Sequence, residues 1–209
     1  VLQSFLLVLS LSIDTFVASI AYGTDKIKIP FSSALIINGV CTSFLAISLF
    51  LGSILKDFMS PSIASLVSFS LLMLLGTYRL FESFFKTYIQ KFSNSEVPLT
   101  FKFFDFKFVL EIYANETKAD YDKSKILTGK EAFYLAVALS LDSLAVGFGS
   151  SLGSVRYLEV ILLSLIVGIS SLIIGSYMGS KFVEKVDMNL SWLSGAILIL
   201  LALMRYFKF

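Results

Sequence analysis

Leu7-Val8-Leu9-Ser10-Leu11-Ser12-Ile13-Asp14-Thr15 has a near copy later in the chain, Leu135-Ala136-Val137-Ala138-Leu139-Ser140-Leu141-Asp142-Ser143. Each copy places one aspartate inside an apolar run. Two more pairs follow in order: Gly52-Ser53 with Gly179-Ser180, then Tyr78-Arg79-Leu80-Phe81 with Met204-Arg205-Tyr206-Phe207. The offset drifts only from 128 to 127 to 126 residues. Three ordered matches are the mark of a duplicated unit.

The composition says what kind of unit this is. Of 209 residues, 56% are hydrophobic and 15% charged, and the mean hydropathy is +0.85. A soluble domain carries about 25% charge, so disorder, nucleic-acid binding and an ordinary globular enzyme are excluded. The net charge of +2 makes no electrostatic case for a polyanion. One cysteine and no histidine leave neither a disulfide framework nor a Cys/His metal or nucleophile site. Apolar runs lie near 1–23, 31–55, 61–84, 132–152, 158–181 and 189–207. A bilayer core needs roughly 20 apolar residues per helix, and irregular backbone cannot face lipid. The expected fold is therefore an all-α integral membrane protein with six transmembrane helices. Near 1–23, Ser19-Ile20-Ala21 resembles a leader cleavage tripeptide. No basic segment precedes this run, an aspartate interrupts it, and it is duplicated internally, so a membrane helix is the preferred reading.

Fifteen of the 32 charges fall between Lys86 and Glu131. The chain thus divides into a three-helix repeat at 1–85, a polar insert at 86–131 and a second three-helix repeat at 132–209. Three crossings put the second copy in the opposite orientation, so the halves form an inverted repeat. Secondary transporters are commonly built this way, with a midplane site at the interface. The plainer alternative is a duplication that only enlarged a bundle.

Asp14 and Asp142 are the charged residues deep inside apolar runs, and they are repeat equivalents. A carboxylate at a helix centre costs about 2.5–3.5 kcal/mol on insertion scales. Small or weakly polar neighbours (Ser10, Ala18 and Ala21; Ala138 and Gly149) let the two helices approach closely. Oxygen ligands without imidazole or thiolate suit Mg²⁺, Ca²⁺ or Mn²⁺. Thr15, Ser143, Asn38 and Thr42 are the candidate supplementary donors, with Ser12 and Ser140 preceding the aspartates. Facing carboxylates raise each other's proton affinity and titrate together, a route to metal/proton exchange. The alternative is that the aspartates only bond between helices. Arg79 and Arg205 fall at helix ends and are not expected to be buried partners. With no nucleotide motif, energy would come from an ion gradient.

In the insert, Phe104, Phe106, Phe108, Leu110 and Ile112 alternate with Asp105, Lys107, Val109, Glu111 and Tyr113. Period two predicts an amphipathic strand, lying on the membrane surface or on a partner. The stretch from Asp120 to Glu131 fits an EF-hand calcium loop. Asp120, Asp122, Ser124, Ile126 (by its carbonyl), Thr128 and Glu131 stand at positions 1, 3, 5, 7, 9 and 12. Two departures are Lys125 where glycine is expected and a strand in place of an entering helix. A Ca²⁺ or Mn²⁺ loop and a solvated acidic turn both remain open.

The paired Leu-Ser-[Ile/Leu]-Asp-[Thr/Ser] helices, and Leu75-Gly76-Thr77-Tyr78-Arg79-Leu80-Phe81-Glu82, resemble the MntP-like manganese efflux family over all six runs. Ala21-Tyr22-Gly23, Ile27-Lys28-Ile29-Pro30 and the long insert are similar to its branch of YtaF-type sporulation membrane proteins. The resemblance implies a six-helix Mn²⁺ exporter of the bacterial plasma membrane. It places the family's two aspartates on Asp14 and Asp142 and adds Glu82 as a further candidate. No resident cofactor and no enzymatic activity are expected, and the partners are the bilayer and the cation. The alternative is a non-transporting sporulation or envelope protein whose insert binds a partner; a small-molecule exporter is a weaker third. An outside N-terminus puts 13 basic residues inside and 4 outside, so N-out/C-out with a cytoplasmic insert is favoured.

Overall fold

The protein is described from a computed structural model over residues 2–93, 109, 111–113, 115–153, 155–182 and 191–206. Among these residues six long helices form: α1 (Leu2–Thr24), α2 (Phe31–Asp57), α3 (Pro61–Ser93), α4 (Gly129–Ser151), α5 (Tyr157–Phe182) and α6 (Ser191–Tyr206). The first five are long and apolar enough to cross a membrane, while α6 carries a shorter apolar stretch, Leu193–Met204. The protein is a multi-pass, all-helical membrane protein. Among the described residues there is no sheet, and the isolated bridge is a parallel pairing of Lys28 with Ile126.

Two expectations change. Residues 109 and 111–113 are helical, which corrects the strand predicted up to Tyr113; Phe104, Phe106, Phe108 and Leu110 lie outside the described residues. Val109 and Ile112 are buried beside Ala119 and Leu127, so an i, i+3 pair anchors this piece. The alternation that predicted a strand also contains that helical spacing. Helix α3 also runs on to Ser93, into the segment read as insert. No glycine or proline stands between Gly76 and Pro98 to stop it.

The aspartate-bearing helices are the inner ones. Their apolar windows are 50% (α1) and 56% (α4) buried, against 22% for α5. Helix α1 packs chiefly on α5, α2 on α4, and α3 on α6. Small residues make these approaches possible. A side chain at Gly23 would lie 2.8 Å from Gly179 Cα and 2.5 Å from the Ser176 carbonyl; one at Gly195 would lie 2.6 Å from the Gly76 carbonyl. On the α2–α4 seam, Gly52 faces Ser151 and Gly147 faces Ser48.

The two ends of the bundle are tied differently. At one end, Lys56 Nζ donates to the Gly153 carbonyl at 3.0 Å, joining the α2–α3 and α4–α5 connections. At the other, Tyr22, Ile27, Val109, Ile112, Ala119, Leu127 and Leu135 share one apolar cluster, which seats the described part of the insert on α1 and α4.

Candidate functional site

Four helices meet at one guanidinium. Arg79 on α3 is 2% exposed. Its Nη1 pairs with Asp14 on α1, and its Nη2 lies 3.0 Å from Asp142 Oδ2 on α4. Nη1 also donates to Ser194 Oγ on α6 at 2.7 Å. Asp14 and Asp142 are 17% and 19% exposed. The repeat-matched aspartates therefore do come together, but through an arginine that the sequence reading had set aside. That expectation is corrected: because α3 continues to Ser93, Arg79 lies in the helix interior and not at its end. The unbroken stretch before Pro98 was the signal. Gly76, one turn before Arg79, lets α3 approach Gly195 closely and brings Arg79 inward.

The supporting hydroxyls are those of Ser10 and Ser194, which lie 3.1 Å apart and each bond to the other's backbone carbonyl. Sequence reasoning missed Ser194, although the 126-residue offset pairs it with Ser68, whose hydroxyl donates to the Gly149 carbonyl at 2.6 Å. Thr15 and Ser143 adjoin the aspartates, with Ser143 buried and Thr15 half-buried. Asn38 and Thr42 turn elsewhere: Asn38 Nδ2 donates to the Leu165 carbonyl at 2.9 Å, and Thr42 Oγ1 lies 3.3 Å from Ser164 Oγ, both on α5. Ser12 is buried, and Ser140 donates to its own helix at Val137. Glu82 follows on α3, but its side chain, like that of Arg205, lies outside the described residues.

One positive charge here faces two negative ones in a setting where a buried ion is costly unless paired and hydrogen-bonded. The guanidinium fork suits two separate carboxylates better than an ammonium would. Chemically the arrangement is two carboxylates on different helices sharing one cationic side chain.

The second predicted cluster is also assembled. One carboxylate oxygen from each of Asp120, Asp122 and Glu131 lies within 4.8 Å of the others. Burial, with the neighbouring Glu131 and Asp122 charges, pushes the Asp120 carboxyl above the usual range, against a bond from the Lys125 amide. Bonds from Ser124 hold the Asp122 carboxyl below it.

A family model described as "Putative manganese efflux pump" (Mntp) matches residues 47–204. The chain belongs to the Mntp manganese efflux pump family. The matched span holds Arg79, Asp142 and Ser194, with Asp14 ahead of it. Among curated relatives of this Mntp-family chain is the "Probable sporulation protein YtaF" of Bacillus subtilis (strain 168), 31% identical over 149 residues that cover 70% of each chain. No solved structure matches.

Proposed function

We propose that this Mntp-family protein exports a divalent cation, Mn²⁺ foremost, by alternating access of two inverted three-helix halves around Asp14 and Asp142, with protons moving in exchange. The observation that carries the reading is the Arg79 guanidinium held between the two carboxylates. In this reading Asp14 and Asp142 share one transported cation, and Arg79 takes its place between them once the ion has left. One guanidinium leaves one of the two negative charges unbalanced, whereas a divalent cation balances both. Arg79 is then an internal competitor that helps release the ion. Thr15 and Ser143, which follow the aspartates in sequence, are the further oxygens this reading adds; Asn38 and Thr42 would join only if their bonds to α5 opened. Glu82 remains a candidate from the family resemblance.

The helix packing supports two related halves, 1–85 and 132–209 with 86–131 between them. Exchanging α1 with α4, α2 with α5 and α3 with α6 turns the α1–α5 seam into the α4–α2 seam. The close contacts follow: Gly23 against Gly179 answers Ser151 against Gly52, and Ser19 against Gly175 answers Gly147 against Ser48. The exported ion would leave the side that carries the insert, which is cytoplasmic in the favoured N-out/C-out arrangement.

A second reading is favoured by the burial of Arg79: the triad is a structural staple in a sporulation or envelope protein whose insert binds a partner. Uptake of Mn²⁺ into inside-out vesicles under an imposed pH gradient separates the two. The transport reading expects uptake that Asp14→Ala or Asp142→Ala abolishes. Folded protein that moves neither Mn²⁺, Mg²⁺ nor Ca²⁺ would sink it in favour of the staple.

A further inference from the structure

The loop from Asp120 to Glu131 stands apart from the Arg79 site, and its geometry asks for a ligand. Asp120 is 7% exposed. Its Oδ2 accepts from the Lys125 amide at 3.3 Å, while its Oδ1 is buried with no hydrogen-bond partner. A buried carboxylate oxygen left unsatisfied is costly and calls for an ion or another donor. The groups nearest in kind are two more carboxylates, those of Asp122 and Glu131. Among the described residues no lysine or arginine ion-pairs with any of the three. We propose that this loop is a resident oxygen-ligand site for a hard divalent cation of the Ca²⁺/Mn²⁺ class, separate from the Asp14–Asp142 site and independent of whether the bundle transports.

Both departures seen in the sequence are absorbed by the fold. Lys125 adopts φ 62°, the left-handed conformation for which glycine is favoured at that position. The element entering the loop is the 3₁₀ turn Glu116–Ala119, after helical residues 111–113, and α4 leaves it. Ligand oxygens at about 2.3–2.6 Å from a Ca²⁺ ion lie at most roughly 5 Å apart across it, so the 4.8 Å limit on the three carboxylates admits one ion. Asp120 and Asp122 would each give a carboxylate oxygen, Ser124 its hydroxyl, Ile126 its carbonyl and Glu131 its carboxylate. Glu131 meanwhile accepts from the Tyr121 amide at 2.9 Å and from Thr128 N and Oγ1 at 2.8 and 2.7 Å. It is therefore already positioned at the start of α4.

The same loop holds the α1–α2 connection. Lys28 N donates to the Lys125 carbonyl at 2.8 Å and Leu127 N to the Lys28 carbonyl at 2.9 Å; Ser33 Oγ donates to the Leu127 carbonyl at 2.7 Å. A cation here would stiffen the junction of α1, α2 and α4 at the insert end.

The test is Tb³⁺ luminescence on the full-length, chelator-treated protein in detergent, with Tyr121 as a local sensitiser and Ca²⁺, Mn²⁺ and Mg²⁺ as competitors. Saturable emission displaced by Ca²⁺ or Mn²⁺ is expected, and the order of displacement names the ion. Asp122→Asn keeps an acceptor for the Ser124 amide, now 2.9 Å from Asp122 Oδ1, and removes only charge, so it should fold. It and Glu131→Gln are each expected to weaken binding at least ten-fold, with Asp14→Asn/Asp142→Asn unchanged. Three results would overturn the site: no saturable binding, binding indifferent to a folded Asp122→Asn, or binding lost in an Asp14/Asp142 variant that elutes as folded protein on size-exclusion chromatography.

Discussion

At the scale of the residue, Arg79 decides how the two aspartates behave. Removing one partner of a buried ion pair costs about 3–5 kcal/mol, because the other charge is left uncompensated. Arg79→Met is therefore expected to lower the melting temperature of the detergent-solubilised protein sharply. If the pair is a cation site, added Mn²⁺ should restore much of that loss by bridging Asp14 and Asp142. A pure staple predicts no rescue by any divalent ion. Arg79→Lys should cost less than Arg79→Met but more than nothing, since an ammonium lacks the planar fork that reaches Asp14, Asp142 and Ser194 together. The aspartates were legible in the sequence because a charge in an apolar run is conspicuous. Arg79 was not, because its depth depends on where α3 ends.

At the scale of the element, glycines set which helices touch. In α5, a side chain at Gly179 would run into the Ile20 carbonyl and lie 3.0 Å from Gly23 Cα. Gly179→Val should thus force α1 from α5 and give aggregated or unfolded protein on size-exclusion chromatography. Gly39 in α2 has nothing within 4 Å of its would-be Cβ. Gly39→Ala should elute normally and melt higher, in line with the roughly 0.5–1 kcal/mol advantage of alanine in a helix. The helices themselves were readable from apolar run length. The insert was misread because Val109 and Ile112 satisfy a helical spacing inside an alternating pattern, and their burial against Leu127 and Ala119 selects the helix.

At the scale of the whole molecule, two ends are defined by different connections. The α1–α2 connection joins the acidic loop at one end, and Lys56 meets Gly153 at the other. In a Cys41→Ser background, Lys123→Cys and Arg156→Cys place single exposed thiols on opposite ends. With the insert cytoplasmic, a membrane-impermeant maleimide applied to intact cells should label Arg156→Cys and spare Lys123→Cys; the reverse pattern would invert the topology. The positive-inside count of 13 basic residues against 4 favours this arrangement.

The sequence by itself determined the membrane class and the helical runs, and it displayed the repeated pattern that carries Asp14 and Asp142. Those properties follow from composition and period, which are local: a bilayer requires long apolar helices wherever the chain is placed. It also displayed the oxygen pattern from Asp120 to Glu131, as spacing alone. Tertiary structure alone decided that Arg79 reaches both aspartates, that Asn38 and Thr42 bond to α5 instead, and that Asp120 is buried beside two other carboxylates. The first two depend on which helix lies beside which, the last on how the loop before α4 folds. Close packing through Gly23, Gly76, Gly179 and Gly195 fixes those neighbours between residues more than a hundred positions apart.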